Sequence, residues 1–272
     1  MRFEFLGTGT SAGVPTIGCA CDVCASDDPR DTRLRTSAAL RFKDATGQDR
    51  VILLDAGPDL RQQALRAGLD RLDAILFTHN HVDHTFGLDE VRRFNVTMDA
   101  PIDVYAEDHT LEHLRRVYKH IFDKRSNVQD SFIATLIAHR LVPGEPLDLF
   151  GVRVTPIRLL HGRLPILGFR LDAPPELDPA GVLPLAYCTD VSKIPPESWG
   201  ALEGLSTLVL DALRVRHHPT HLTLDQAVDV ARRVGAGRTY FVHMSHDLAH
   251  EATNKALPEG LALAHDGLTL GE

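Results

Sequence analysis

The sequence brings three imidazoles and one carboxylate into six consecutive residues, HNHVDH at positions 79–84. Imidazole and carboxylate are the ligands that Zn²⁺, Mn²⁺ and Fe²⁺ accept in proteins. In a loop that leaves a strand, His79 and His81 can face one metal ion while Asp83 and His84 face a second. A solvated polar loop that happens to contain histidines is the alternative interpretation, and this ligand spacing disfavours it.

One segment cannot complete the coordination shells of two metal ions, so further ligands must come from elsewhere in the chain. His161, Asp190 and His243 each stand at the end of a predicted strand. Together with the HNHVDH segment they resemble the ordered ligand set of the metallo-β-lactamase superfamily. The resemblance implies an α/β fold, an αβ/βα four-layer sandwich of two mixed β-sheets flanked by helices. It also implies two divalent metal ions, Zn or Mn, at one edge.

The resemblance also implies a role for each candidate ligand. The first metal would be held by His79, His81 and His161, the second by Asp83, His84 and His243, and Asp190 would bridge the two. Asp55, in the stretch LDAG, matches the family's aspartate after an early strand, which implies a hydrogen-bond partner for a ligand histidine. A plain turn before Gly57 is the alternative for Asp55.

Three of the four cysteines, Cys19, Cys21 and Cys24, lie within six residues. In a reducing compartment such a cluster favours a metal site over disulfides. With the preceding stretch GTGTSAGVP, it resembles the PhnP-like phosphodiesterase family, which implies that His246 completes a closed structural zinc site. A reactive cysteine cluster is the rival interpretation. Cys188 lies in an apolar segment and is predicted to be a buried thiol.

Three further groups are candidates for contact with substrate. The stretch HLT that begins at His221 is similar to an element of phosphodiesterase branches such as RNase Z. The similarity implies that His221 sits beside the metals and either stabilises the developing phosphorane charge or protonates the leaving oxygen. Asp83 would orient the nucleophile in addition to binding metal. The segment after the metal loop contains Arg92, Arg93 and Asn95. Arg92 or Arg93, together with Asn95, is a candidate for binding a phosphate. A solvated helix face is the alternative interpretation. The histidines without a ligand motif are interpreted as surface residues, with surface or packing left open for His218.

These features predict a metal-dependent phosphodiesterase in which a metal-bridging hydroxide attacks a small phosphodiester. The PhnP-like resemblance points to a cyclic ester such as 5-phosphoribosyl 1,2-cyclic phosphate. RNase Z-like cleavage of RNA and hydrolysis of a lactone, lactam or thioester remain as enzyme alternatives. A non-catalytic binding module braced by metals is the last one, and the complete ligand set disfavours it.

The elements that must position these residues can be predicted from hydropathy. Strands are predicted at 3–6, 37–42, 51–54, 74–78, 152–157, 166–171, 184–188, 207–210 and 239–242. Helices are predicted at 59–67, where Gly68 is the stop signal, at 224–234, and at 108–122, where the helix would lie at the periphery and overhang the site. No repeat or linker divides the 272 residues, so one hydrolase domain over 1–272 is predicted.

Composition narrows the range of partners. The net charge of −8 disfavours long nucleic acid, since proteins that bind it usually carry a basic face. It leaves open a small phosphorylated substrate, because bound metals make a site locally cationic. The first residues are too charged for a secretory signal and no stretch is long enough to span a membrane, which predicts a cytoplasmic protein without a membrane partner. The PhnP-like resemblance implies a homodimer.

Overall fold

A computed structural model describes residues 1–123, 125 and 132–272 of the chain. Its strands are β1 (Arg2–Gly7), β2 (Ser37–Lys43), β3 (Asp49–Leu54), β4 (Ala74–Leu76), β5 (Ile102–Ala106), β6 (Leu136–Arg140), β7 (Leu147–Leu149), β8 (Val152–His161), β9 (Leu164–Asp172), β10 (Leu185–Cys188), β11 (Thr207–Asp211), β12 (Arg238–Val242), β13 (Leu261–Leu263) and β14 (Thr269–Gly271). Its α-helices are α1 (Leu60–Ala67), α2 (Val82–Thr85), α3 (Arg92–Met98), α4 (Asp108–Val117), α5 (Lys119–Phe122), α6 (Leu224–Val234) and α7 (His250–Ala256). Three short 3-10 helices cover Pro29–Asp31, Leu88–Val91 and Pro196–Leu202 in the same part of the chain.

The strands form two mixed sheets of seven strands each. The first has the order β14-β1-β2-β3-β4-β5-β6 and the second the order β13-β12-β11-β10-β9-β8-β7. In the first sheet β3 to β6 run parallel, and in the second β10 to β13 do. Parallel strands end at the same edge of a sheet, so each sheet presents several strand ends together.

Three apolar clusters order these sheets into layers. Between the sheets, Phe3 and Phe5 of β1 pack in one cluster with Phe169 of β9. A second cluster joins the outer face of the first sheet to α1, α3 and α4, and a third joins the outer face of the second sheet to α6. The predicted four-layer sandwich of two mixed sheets flanked by helices is therefore confirmed.

Local sequence signals set the helix ends. Gly68 ends α1 in the left-handed conformation with φ 60°, as predicted. Helix α6 has the predicted bounds, because Thr223 and Gln226 form a capping box and Gly235 ends it at φ 65°. The continuous helix predicted over 108–122 is wrong. It breaks at Tyr118 (φ −103°, ψ 44°), whose hydroxyl donates a hydrogen bond to the carbonyl oxygen of Thr85 and so ties α4 and α5 to the metal loop.

Several strands differ from the sequence prediction in extent or were not predicted. Strand β8 continues to His161, four residues beyond the predicted end, because it pairs with β9 along its whole length. The short strands β5, β6, β7, β13 and β14 were not predicted. No helix in the described residues is both long and apolar enough to cross a membrane.

Candidate dinuclear metal centre and active site

The ends of strands from both sheets bring the candidate ligands to one place. His79 lies three residues after Leu76, the last residue of β4. His161 is the last residue of β8, and His243 directly follows β12. Asp190 and His243 have positive φ angles of 60° and 61°. Residues other than glycine rarely adopt this conformation, and such strain collects at functional sites. The turn at each strand end is what aims these side chains at a common point.

The predicted ligands lie in overlapping groups whose ligand atoms are all within 4.8 Å of one another. Among these groups are His79, His81 and His161; Asp83, His84 and His243; His79, His84 and Asp190; and His161, Asp190 and His221. Asp190 lies between the first two groups: its Oδ1 is 4.0 Å from Nε2 of His79 in the first, and its Oδ2 is 3.2 Å from Nε2 of His84 in the second. The structure thus brings all seven predicted ligands together, with Asp190 in the central position.

The chemistry of this donor set fits two divalent metal ions. The Nε2 atoms of His79, His84 and His243 are buried and make no hydrogen bond. Buried polar atoms are normally satisfied, so three such atoms facing two carboxylates indicate a missing cationic partner. His81 is the exposed member of the set and lies at the open side of the cluster. Imidazole with carboxylate is a ligand mixture that suits zinc and manganese.

A layer of hydrogen bonds behind the ligands fixes the imidazole tautomers. Oδ2 of Asp55 lies 2.8 Å from Nδ1 of His84 and also accepts the hydroxyl hydrogen of Thr78. Because that hydroxyl donates to Asp55, it accepts from Nδ1 of His79 at 2.9 Å. Both rings therefore carry their proton on Nδ1 and present the Nε2 lone pair to a metal. This arrangement supports the partner role predicted for Asp55.

The electrostatics of the buried site keep the carboxylates ionised and His79 neutral, whereas the neighbouring carboxylates outweigh burial and raise the pKa of His84 and His243. Burial lowers the pKa of His79 well below its ordinary value, which keeps the ring neutral. Burial opposes the charge on Asp190, but His243 and His84 outweigh it and hold the pKa of that carboxyl well below its usual range. The pKa of Asp83 is lowered in the same way, chiefly by His84. Neutral imidazole and ionised carboxylate are the states in which these groups bind metal.

His221 lies beside this cluster and has a dedicated partner. Its ring is stacked on that of His243 at 4.8 Å between centroids and meets the ring of His161 at 4.6 Å. Nδ1 of His221 lies 3.0 Å from Oδ1 of Asp211, the last residue of β11, which is fully buried. The carboxylate orients the ring so that Nε2 is left for chemistry in the cleft.

The three clustered cysteines surround one imidazole nitrogen. The Sγ atoms of Cys19, Cys21 and Cys24 lie 3.2, 3.5 and 3.3 Å from Nδ1 of His246. The backbone N–H of Cys24 lowers the pKa of the Cys21 thiol to about 7, close to what a thiolate ligand needs. Three sulfurs and one nitrogen fit a closed tetrahedral zinc site. Cys188 is fully buried, as predicted.

Comparison with known proteins identifies the family. The model of the "Beta-lactamase superfamily domain" matches residues 50–244, a range that contains all seven ligands of the cluster. The chain belongs to the beta-lactamase superfamily. A crystal structure described as a new diphosphatase from the PhnP family is 44% identical to this superfamily member, with a TM-score of 0.86 over 99% of this chain and 97% of that one. The chain is therefore a PhnP-like metallo-β-lactamase-fold protein and a metal-dependent hydrolase.

Two curated relatives of this metallo-β-lactamase-fold protein carry other names. The octanoyltransferase of Porphyromonas gingivalis is 36% identical over 270 residues, which is 98% of this chain and 51% of that protein. The chain thus spans about half the length of that relative. The coenzyme PQQ synthesis protein B of Methylorubrum extorquens is 26% identical over 99% of both chains. Human tRNase Z, short form, is 19% identical with a TM-score of 0.71, a likeness of fold.

The predicted phosphate contacts Arg92 and Asn95 have partners within the fold. Asn95 uses its amide inside the fold, donating to the carbonyl oxygens of Ala100 and Thr135 and accepting from the N–H of Thr135. Arg92 lies 3.2 Å from a carboxylate oxygen of Asp89 on the partly exposed face of α3. Substrate binding by Arg92 and Asn95 stays a prediction, and these contacts give it no support.

Other residues of the site were missed or misplaced by the sequence prediction. Asp211 and Thr78 were given no role, although each holds a histidine of the site; a carboxylate at the end of a predicted strand was the available signal for Asp211. His250 was interpreted as a surface residue, which is wrong: only 4% of it is exposed. Its backbone N–H donates to Oδ1 of Asp31, and this hydrogen bond joins His250 to the N-terminal loop.

Proposed function

We propose that the chain hydrolyses a small phosphodiester, of which 5-phosphoribosyl 1,2-cyclic phosphate is the first candidate. The observation that carries this proposal is the pair formed by His221 and Asp211 beside the ligand cluster. A thioester expels a thiolate, which leaves without a proton donor, whereas expulsion of an alkoxide from phosphorus gains from one. The 44% identity to a PhnP-family diphosphatase supports a phosphate ester as the substrate.

We assign His79, His81 and His161 to one metal ion, Asp83, His84 and His243 to a second, and Asp190 to both. Two divalent ions held there would offset charge on phosphate oxygens and lower the pKa of a water molecule. Asp83 orients the attacking water from the cleft side. His221, oriented by its contact with Asp211, donates its Nε2 proton to the leaving oxygen as the bond to phosphorus breaks. We assign Cys19, Cys21, Cys24 and His246 to a structural zinc ion.

The direct test is turnover of 5-phosphoribosyl 1,2-cyclic phosphate by protein loaded with Zn²⁺ or with Mn²⁺. Phosphorus NMR should show ring opening to the 1,5-bisphosphate. No turnover with either ion would reject this substrate. A folded, metal-loaded Asp83→Ala variant should lose the activity, and unchanged function in that variant would favour a binding module.

A second candidate reaction is cleavage of a pyrophosphate linkage, and the diphosphatase neighbour favours it. A dinucleotide joined by a pyrophosphate is the matching probe in the same assay. Cleavage of that probe with no opening of the cyclic ester would select this reaction. Cleavage of a precursor tRNA would instead select RNase Z-like activity, which the net charge of −8 disfavours.

We also propose that the reaction takes place in the cytoplasm. Three thiols gathered around one histidine, in place of a disulfide, fit a compartment in which cysteines stay reduced. Reduction by the cell would leave this cluster free to bind zinc. Fractionation of the native host with an antibody against the chain would test the location.

A further inference from the structure

The loop between β11 and α6 carries a second histidine next to the cleft, His218. Its ring centroid lies 5.1 Å from that of His221. His218 is half-buried. Its ring contacts that of His221, and the ring of His221 in turn contacts the ligand rings of His161 and His243. His218 therefore lies next to His221 and outside the ring contacts among the ligands.

One residue, Thr220, orients the rings on both sides of His221. Its carbonyl oxygen lies 2.8 Å from Nδ1 of His161, so that this nitrogen must be the donor. Its backbone N–H and its hydroxyl both reach Nδ1 of His218, at 3.3 and 3.1 Å. A backbone N–H can only donate, so Nδ1 of His218 is the acceptor in its hydrogen bond with the N–H of Thr220. Thr220 thus imposes opposite tautomers: His161 keeps a lone pair on Nε2, whereas His218 keeps a proton on Nε2.

The Nε2–H group of His218 has no hydrogen-bond acceptor among the described residues. This nitrogen is not a buried atom. The loop that holds it is rigidly tied: Arg214 donates to the carbonyl oxygens of Arg216 and His217. Burial, followed by the neighbouring His221 and Arg214, lowers the pKa of His218, which favours the neutral ring.

We infer that His218 binds the leaving-group side of the substrate, donating its Nε2–H to an oxygen of a sugar phosphate beyond the scissile bond. This inference rests on the proposed function, because it takes His221 as the acid that marks the leaving oxygen. Because its tautomer is fixed, His218 favours leaving groups that carry an acceptor oxygen within reach of its Nε2–H. No proton is transferred by His218, and its contribution is to binding and orientation.

Two substitutions separate this role from a structural one. His218→Gln places an amide N–H near the position of Nε2, whereas His218→Asn keeps an acceptor near Nδ1 and removes the outer donor. With the sugar-phosphate cyclic ester, we expect His218→Asn to lower kcat/KM about ten- to hundredfold, mainly through KM, and His218→Gln to restore most of it. With bis(p-nitrophenyl) phosphate, which lacks the sugar oxygen, both variants should match the wild type. His217→Asn, one residue away and exposed, is the matched control.

The outcomes are distinct. If His218→Asn retains activity and His218→Gln loses it, the ring serves only Thr220 and the inference is overturned. Equal kinetics of both variants and wild type on the sugar phosphate would also overturn it while leaving the proposed function intact. Turnover of neither substrate by the wild type would reject the proposed function instead.

A spectroscopic measurement tests the tautomer without any activity. Long-range ¹H–¹⁵N spectra of the zinc-loaded, ¹⁵N-histidine-labelled protein should show His218, assigned with His218→Asn, in the Nε2-protonated form. Thr220→Val removes the hydroxyl while keeping the side-chain shape, and we expect it to raise the population of the other tautomer. A wild-type ring protonated on Nδ1 would overturn the inference.

Discussion

The imidazole of His221 has one nitrogen committed to Asp211 and one left for the substrate. If His221 is the acid, its removal should lower the rate more for a substrate with a poorer leaving group. We predict that His221→Ala lowers kcat about 10²- to 10⁴-fold for an ester that expels an alkoxide, and far less for one that expels p-nitrophenolate. Steady-state kinetics on both substrates checks this. Equal losses on the two would contradict the acid role and indicate damage to the metal site.

Substitution of Asp55 should weaken metal binding while every metal ligand stays in place. It accepts hydrogen bonds from His84, and from both the N–H and the hydroxyl of Thr78. We predict that Asp55→Ala lowers metal affinity about 10- to 100-fold, because the ring of His84 loses its orientation. Competition with a chelator measures the affinity. Asp99→Asn, at an exposed turn with φ 50°, is the control; an unchanged affinity in Asp55→Ala would refute the prediction.

At the scale of elements, the cysteine cluster joins the loop after β1 to the segment after β12. His246 lies three residues from His243, so the same segment serves both sites. We predict that Cys21→Ser releases one zinc equivalent per chain and lowers Tm by at least about 5 °C, since a metal bound only in the folded state stabilises it. Elemental analysis and calorimetry check both numbers. Cys188→Ala removes a thiol outside the cluster and should keep the zinc.

Helix α7 begins with a buried histidine that makes stability depend on pH. Burial, helped by Arg30 and His265, lowers the pKa of His250 from 6.5 to about 4. The folded protein therefore binds this proton less tightly than the unfolded chain does. The stability that neutral His250 contributes is complete above pH 6.5, is lost as pH falls from 6.5 to about 4, and amounts to on the order of 3 kcal/mol at most.

Urea unfolding at pH 7.5 and pH 5 tests this dependence. In His250→Asn the free energy of unfolding should fall less between these pH values than in the wild type, because the titrating group is gone. His217→Asn, which removes an exposed histidine, should keep the wild-type difference. A decrease in His250→Asn as large as in the wild type would show that other groups cause it.

The elements show what the sequence could predict and what it could not. The ligand positions were predictable, because an HNHVDH segment and single His and Asp residues at strand ends are local patterns. Helix α6 was predictable for the same reason, since its capping residues are adjacent to it. The break at Tyr118 was not, because it depends on a hydrogen bond to Thr85, a residue distant in sequence. Asp211 could be noticed as a carboxylate at a strand end, but its contact with His221 depends on the course of the loop between them. Short strands such as β6 are fixed by their sheet neighbours.

At the scale of the whole molecule, the two sheets share one apolar cluster between them. The cluster includes residues of β1 from the first sheet and β9 from the second, so neither sheet has an inner face of its own to bury. We therefore propose that 1–272 folds as one domain. The homodimer implied by the PhnP-like resemblance also stays a prediction, which sedimentation of the zinc-loaded protein would test.

A shared core makes a specific prediction for unfolding. Phe3 of β1 is fully buried between the sheets, whereas Trp199, the single tryptophan, packs on the outer side of the second sheet. Phe3→Ala should cost about 3–5 kcal/mol and should shift the Trp199 fluorescence transition as much as the circular dichroism transition. The exposed Leu65→Ala should shift neither by a comparable amount. If Phe3→Ala moved the dichroism signal while Trp199 unfolded as in the wild type, the two sheets would be separate cooperative units, because only independent cores can lose stability independently.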